Sequence, residues 1–201
     1  MDIKSKKITI LGAGRSGISA AKLASFLGAD VLISDIKRDI QNIDLKHVEI
    51  ESGGHSNRVL ESDLIIKSPG IPNTIEIVKK ARSNNINVIS EIEFAGLFSD
   101  LPIIGVTGSN GKTTTVELLN AIFLNAGYKP MLGGNVGIPF SDNVLNEIKE
   151  DIKEGIHILE LSSFQLEGTN KISLDIGCIL NISEDHLDRY NDYEDYISAK
   201  L

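Results

Sequence analysis

Two glycine-rich loops carry the residues most able to do chemistry. The first, Gly12-Ala13-Gly14-Arg15-Ser16-Gly17, stands between an apolar β-branched run and a helix-period segment. Glycines there allow a tight turn and close ligand approach, and the helix start offers unbonded N–H groups to a diphosphate. NAD is the default ligand on the motif alone, but any nucleotide diphosphate satisfies the same physics. A glycine turn that only packs helix on strand is the plain structural reading. Asp35 ends the next apolar run, placed to accept hydrogen bonds from ribose hydroxyls. Lys67-Ser68-Pro69-Gly70-Ile71-Pro72 turns sharply at the same sheet edge and reads equally as a connection or a binding loop.

The second loop is Gly105-Val106-Thr107-Gly108-Ser109-Asn110-Gly111-Lys112-Thr113-Thr114. It departs from the usual GxxxxGK[ST] spacing, because Val106 stands where the first glycine belongs. The mechanics survive the departure. Backbone N–H groups of residues 108–113 can encircle phosphate oxygens, Lys112 supplies positive charge, and the Thr113 hydroxyl can bind Mg²⁺. ATP or GTP is the expected ligand.

Two further side chains belong with this loop. Glu160 closes the apolar run from Ile156 to Leu161, where a carboxylate can face the phosphate loop and hold Mg²⁺; a solvated strand-end acid is the alternative. His186 follows another strand end, in the polar stretch from Asn181 to Tyr190. His47, His55 and His157 have no such company and read as structural.

These residues need a scaffold, and the chain has room for one. Its 201 residues suffice for one large domain or two modest ones, and 41% hydrophobic with 24% charged residues is ordinary globular composition. A net charge of −8 speaks against nucleic acid as a partner, which requires a basic face. It does not oppose a small phosphate ligand, held by local backbone groups. Cys178 is the single cysteine, so no internal disulfide is possible and a reducing compartment fits. Its apolar surroundings predict a small buried core residue. No apolar run approaches signal-peptide or membrane-spanning length, so a cytoplasmic protein without a membrane partner is expected.

Short β-branched runs alternating with helix-period segments predict an α/β fold built on mainly parallel sheets. Strands are expected at 7–11, 30–34, 48–51, 64–67 and 87–89, with helices at 16–27 and 74–83. A short helix and joint over 91–101 lead to a hinge at Leu101-Pro102. A second series then begins, with strand 103–106, helix 113–126 capped by Gly127, and strands near 156–161 and 176–180. Asp192 is placed to cap a last helix through Tyr193, Tyr196 and Ile197. About three strands are expected in this second sheet, which suggests a domain cut partway through.

Taken together, the TGSNGKTTT loop, Gly133-Gly134-Asn135-Val136-Gly137, the LELSSFQLE segment from Leu159 to Glu167, and NISEDHLDRY from Asn181 resemble the Mur ligase family. LELSSFQLE and the GAGRSGIS loop are most similar to members that add D-glutamate. The resemblance runs in order along essentially the whole chain. It implies a Rossmann-like domain over 1–101 that binds the UDP part of UDP-N-acetylmuramoyl-L-alanine. A truncated P-loop ATPase-type central domain over 102–201 follows, and the family's D-glutamate-binding C-terminal domain is absent.

By that resemblance Arg15, Ser16, Asp35, Ile36, Lys37 and Gly70 match uridine-diphosphate contacts. Asn135, Ser162 and Gln165 match positions near the muramoyl-alanine end. Gly108, Ser109, Asn110, Gly111, Lys112, Thr113 and Thr114 match the ATP loop. Thr113, Glu160 and His186 match ligands of two Mg²⁺ ions. Lys200, in Tyr196-Ile197-Ser198-Ala199-Lys200, matches a lysine that is carbamylated and supports the second ion. Lys112, His186 and Lys200 form the implied catalytic set. The implied reaction joins D-glutamate to the L-alanine carboxylate through an acyl phosphate, and the fragment alone is expected not to turn over. The alternatives are a folylpolyglutamate synthase relative, an NAD-binding redox or sensor module fused to a P-loop NTPase, and a non-catalytic binding fragment.

Overall fold

The computed structural model describes residues 1–40, 45–167, 169, 171–184, 190 and 192–200. Its first sheet collects β1 (Lys7–Leu11), β2 (Asp30–Asp35), β3 (Val48–Ser52), β4 (Leu64–Lys67) and β5 (Asn87–Ser90), all parallel, in the order β3-β2-β1-β4-β5. The inner strands are buried on both faces, which is why β1, β2 and β4 are near-continuous runs of Ile, Leu and Val. β1 lies between β2 and β4, in register Leu11 with Ser34 and Leu11 with Lys67. The strand order therefore reverses beside β1, the position at which open α/β sheets hold ligands.

Helix α1 (Arg15–Phe26) crosses from β1 to β2 and buries Gly17, Ala20, Ala21, Leu23 and Ala24 against the sheet. Gly17 permits its close approach. A Cβ at Gly17 would lie 1.9 Å from the Gly12 carbonyl oxygen, so no other residue fits without moving the loop. Helices α2 (Glu76–Ser83) and α3 (Glu91–Gly96) flank β5, and Ser90 caps α3 by accepting from the Glu93 N–H at 3.1 Å.

The second sheet holds β6 (Ile103–Thr107), β7 (Pro130–Gly134), β8 (Ile156–Glu160) and β9 (Ile176–Ile179), parallel and ordered β7-β8-β6-β9. Among the described residues it has four strands rather than about three. β7 reads Pro-Met-Leu-Gly-Gly, with none of the β-branched residues that mark a strand in sequence. Helix α4 (Lys112–Asn125) follows the phosphate loop, and α5 (Phe140–Lys149), also unforeseen, leads from β7 towards β8. The short α6 (Ser163–Leu166) follows β8. The last helix, α7 (Tyr193–Ser198), is capped as expected by Asp192, whose Oδ1 accepts from the Asp195 N–H at 2.9 Å.

Cys178 is half-buried rather than fully buried, packed against the core cluster of Ile104, Val106, Val116 and Ile158. It lies on β9, an edge strand whose neighbours Ile176 and Ile179 are exposed.

The two sheets share one apolar core, in which Ala20 and Leu23 of α1, Ile92 and Phe94 of α3, and Phe140 and Val144 of α5 pack together. Buried glutamates reinforce the seam. Glu91 accepts from the Ser141 N–H at the start of α5 (2.6 Å), and Glu93 accepts from the N–H groups of Lys171 (3.0 Å) and Ile172 (3.2 Å). Glu147 of α5 accepts from the Ser99 hydroxyl and the Asp100 N–H, both at 2.8 Å, and pairs with His157 Nε2 at 2.8 Å. His157 is thus structural, as expected. The bonds from the Asp100, Ser141, Lys171 and Ile172 N–H groups satisfy backbone donors that burial would otherwise leave unpaired. No helix of the described residues is long and apolar enough to cross a membrane.

Candidate active site

At the strand-order reversal the first glycine loop forms one wall of a cavity of about 670 Å³. Gly12, Gly14, Asp35, Lys37, His55 and Gly70 are among its lining residues, with Ile36 beside them. The loop follows β1, and α1 begins within it at Arg15, so the helix start at Gly14 borders this space. Asp35 sits at the end of β2 with both carboxylate oxygens engaged. Oδ2 accepts from the Ala13 N–H at 2.6 Å, and Oδ1 accepts from the Lys37 N–H at 2.8 Å. Partial burial raises its pKa, but those two bonds and the charges of Lys37 and His55 outweigh it and hold the carboxyl below its ordinary value. Asp35 therefore shapes the loop first and offers its remaining lone pairs to the cavity.

Arg15 and Ser16 lie in the first turn of α1. The Arg15 guanidinium donates to the Gly137 carbonyl, so this residue joins the first glycine loop to the segment after β7. His55, read from the sequence as structural, lines the cavity and bonds Ser34 across 2.7 Å.

The second loop carries a tighter cluster. The Thr113 hydroxyl, in the first turn of α4, donates to Glu160 Oε2 at 2.7 Å, and the Asn135 side-chain amide donates to Glu160 Oε1 at 2.8 Å. The Asn135 N–H also donates to the Glu160 carbonyl at 2.8 Å. Glu160 is 2% exposed at the end of β8, beside β6 in register with Val106. Gly134 makes this join possible. Its φ is +102°, and a Cβ there would lie 2.3 Å from the Glu160 carbonyl oxygen.

The loop itself is fastened from the strand-end segment that follows β9. Asn181 Oδ1 accepts from the Asn110 N–H and its amide donates to the Asn110 carbonyl, both at 2.9 Å. The Ser109 hydroxyl donates to the Ser183 carbonyl at 2.9 Å, and with its hydrogen so used it accepts from the Tyr196 hydroxyl at 2.9 Å. Tyr196 is 1% exposed and escaped the sequence reading, although the YxxAK segment around it was singled out. Lys112 Nζ donates to the Gly108 carbonyl at 2.6 Å and the Ser109 carbonyl at 3.0 Å, which holds the ammonium over the loop.

Lys200 is also brought to the loop. It is 6% exposed, with Nζ 3.3 Å from both Thr107 Oγ1 and the Gly108 carbonyl oxygen, and 4.8 Å from the Tyr196 ring centroid. It meets the loop at its start, whereas Glu160 meets it at its end. Thr114 is exposed in the first turn of α4. Ser162 and Gln165 form a capping box on α6: the Ser162 N–H donates to Gln165 Oε1 at 3.0 Å, and Ser162 Oγ accepts from the Gln165 N–H at 3.4 Å. His186 lies outside the described residues.

The hard oxygen set of Thr113 and Glu160 at a helix start suits Mg²⁺. A loop of this form between β6 and α4, paired with a strand-end carboxylate, has the architecture of a P-loop. Beside it stands a Rossmann-like sheet with its own glycine loop.

Residues 6–90 match the Mur ligase MurD-like N-terminal domain, and residues 106–201 match the Mur ligase middle domain. The chain belongs to the Mur ligase family. It is 43% identical over 204 residues to a UDP-N-acetylmuramoylalanine–D-glutamate ligase of Christiangramia forsetii, covering 98% of this chain and 44% of that protein. It is 40% identical over 211 residues to one of Pelodictyon phaeoclathratiforme, covering 100% of this chain and 44% of that protein. The chain thus spans less than half the length of these curated relatives.

Among solved structures, the UDP-N-acetylmuramate:L-alanyl-gamma-D-glutamyl-meso-diaminopimelate ligase of Neisseria meningitides superposes with a TM-score of 0.60 at 18% identity, covering 96% of this chain and 66% of that one. A murein peptide ligase of Psychrobacter arcticus 273-4 gives 0.55 at 21%, covering 91% and 44%. These two share the fold.

Proposed function

We propose that this chain supplies two substrate-binding domains of an ATP-dependent ligase that joins D-glutamate to UDP-N-acetylmuramoyl-L-alanine. The observation that carries this is the convergence of Thr113, Asn135 and Glu160 beneath the phosphate loop, in a chain whose 43% and 40% identical relatives bear that ligase's name. In this reading residues 1–101 hold the UDP end of the substrate and residues 102–201 hold ATP. Arg15, Ser16, Asp35, Ile36, Lys37 and Gly70 serve the uridine diphosphate. Asn135, Ser162 and Gln165 serve the muramoyl-alanine end. D-glutamate would be bound by a part of the protein beyond this chain. A cytoplasmic setting follows from ATP and UDP-sugar as substrates.

The loop N–H groups of residues 108–113 and the start of α4 orient the triphosphate, and Lys112 neutralises charge as the γ-phosphoryl group moves. An oxygen of the alanine carboxylate attacks that phosphorus, the bond to ADP breaks, and an acyl phosphate forms. The amine of D-glutamate then attacks the acyl carbon, loses a proton and expels inorganic phosphate. Thr113 and Glu160 are the residues that would hold Mg²⁺, with His186 and a carbamylated Lys200 serving a second ion. The bound ions would supply charge neutralisation at the phosphoryl oxygens. A carbamate would turn Lys200 from cation to anion, as a metal site demands. The rest is positioning and electrostatic stabilisation.

The alternative, a nicotinamide-binding module fused to a P-loop NTPase, finds no support in the family to which the chain belongs. The test is isotopic. The full-length protein carrying this chain is given ATP, D-glutamate and UDP-N-acetylmuramoyl-L-alanine with ¹⁸O in the alanine carboxylate. One label is expected to appear in inorganic phosphate. Product formed without label in phosphate, or no dependence on either substrate, overturns the reading.

A further inference from the structure

Ser34, Glu51 and His55 form a hydrogen-bonded relay behind the first cavity. Ser34 is fully buried at the end of β2, and its hydroxyl donates to Glu51 Oε1 at 2.6 Å. Glu51 also accepts from the Ser56 N–H at 3.1 Å and the Ser56 hydroxyl at 2.6 Å. Partial burial opposes ionisation of Glu51, but the bonds from Ser34 and Ser56 and the charge of Arg58 hold its carboxyl below the ordinary value. Glu51 is therefore an acceptor only, and the single Ser34 hydrogen is spent on it.

That assignment decides the imidazole. Ser34 Oγ lies 2.7 Å from His55 Nδ1 and has only lone pairs left, so Nδ1 must carry the hydrogen and donate. In neutral His55, Nε2 is then a bare acceptor. No hydrogen bond reaches Nε2 among the described residues, while His55 lines the cavity together with Asp35 and Lys37. Gly12 and Gly14, at the start of α1, offer an anion a place in this cavity. Asp35, Ile36, Lys37 and His55 line it where β2 ends.

We propose that His55 is a ligand-reading residue of the first cavity, accepting on Nε2 a hydrogen bond from the nucleoside end of the bound nucleotide. This rests on the reading of that cavity as a uridine-diphosphate site. The nucleoside offers two donors of suitable chemistry, the uracil N3–H and the ribose hydroxyls. Asp35, with each oxygen already accepting one backbone N–H, is left with reduced capacity for the same donors, so a second acceptor has a place. A wholly structural role, tying residues 53–56 to β2, would leave ligand affinity independent of Nε2.

The experiment is a calorimetric titration of the chain with UDP, repeated on His55→Phe and His55→Gln. Phe keeps a ring without an acceptor, while Gln can donate to Ser34 and accept from the ligand. The loss of one hydrogen bond predicts roughly tenfold weaker UDP binding for Phe and near-native binding for Gln. Titrating 3-methyl-UDP and 2′-deoxy-UDP distinguishes the donor: the analogue lacking the relevant hydrogen loses affinity in the native chain but not further in His55→Phe. A ¹⁵N spectrum of the free chain at pH 8 is expected to show His55 protonated on Nδ1, with that preference lost in Ser34→Ala. UDP affinity unchanged in His55→Phe, or an Nε2–H tautomer, overturns the inference while leaving the uridine-diphosphate site intact. Absence of UDP binding to the native chain overturns both.

Discussion

The Thr113 hydroxyl donates to Glu160 Oε2 at 2.7 Å, joining the first turn of α4 to the end of β8. Glu160 is 2% exposed, and its two oxygens are shared between Thr113 and Asn135. A buried carboxylate facing a phosphate loop is an arrangement that a divalent cation would complete. Three segments far apart in sequence meet on it.

Glu160→Gln keeps the shape of this cluster and removes its charge. Mg²⁺-dependent ATP affinity is expected to fall by roughly 10–100-fold, the range for groups that support a metal site. ATP titrated with and without Mg²⁺ provides the check. Equal affinity in the variant and the native chain would remove Glu160 from the site.

Lys112 donates to the Gly108 and Ser109 carbonyls, which other donors or water can satisfy at this half-buried position. Lys112→Met is therefore expected to abolish measurable ATP binding while shifting the unfolding midpoint by no more than a few degrees. A large loss of stability with ATP binding retained would mean that the lysine is a structural brace.

Gly134→Ala sets a Cβ 2.3 Å from the Glu160 carbonyl oxygen, at a φ of +102° that an L side chain rarely adopts. Overpacking and backbone strain together are expected to cost about 2–4 kcal/mol in urea unfolding. Asn135 should lose its hold on Glu160 as well, so nucleotide affinity falls in parallel. A neutral substitution would show that the loop relaxes freely.

Burial pushes the Glu91 carboxyl up to about 7 from an ordinary 4.5, against the bonds from Ser141. Between those values the folded chain holds a proton that the unfolded chain has released. Stability from this group is therefore fully present below pH 4.5 and lost as pH rises through about 7. The loss is on the order of 3 kcal/mol at most. Glu147 acts in the opposite direction: partial burial raises its pKa, but the bonds from His157, Asp100 and Ser99 hold it below the ordinary value, so its contribution is lost in acid. Thermal unfolding across pH 5–8 should flatten in Glu91→Gln. An identical slope in both proteins would contradict this.

Much of the architecture could be read from the residues, because β1, β2, β4 and β6 are dense apolar β-branched runs and both loops follow strands. β7 and α5 escaped. Pro130–Gly134 lacks strand-forming side chains and is held by pairing with β8, and no side chain caps α5 at Pro139. Tertiary pairing overrode local preference there. Cys178 misled because an apolar run does not disclose whether its strand lies at an edge. Lys200 and Glu160 were singled out and do meet the phosphate loop, but the bonds of Thr113 and Asn135 to Glu160 are long-range and leave no local signature. The bond network of His55 left no local trace for the same reason: Ser34 and Glu51 are brought alongside by β2–β3 pairing.

The first cavity is expected to take a UDP-sugar and not a nicotinamide dinucleotide. Calorimetric titration of the chain with UDP-N-acetylmuramoyl-L-alanine, with NADH in parallel, tests it most directly. Saturable uptake of the UDP-sugar, lost in Asp35→Ala, with no heat from NADH, is the expected result. Tight NADH binding with indifference to the UDP-sugar would rule out a UDP-sugar site and return the first glycine loop to redox chemistry.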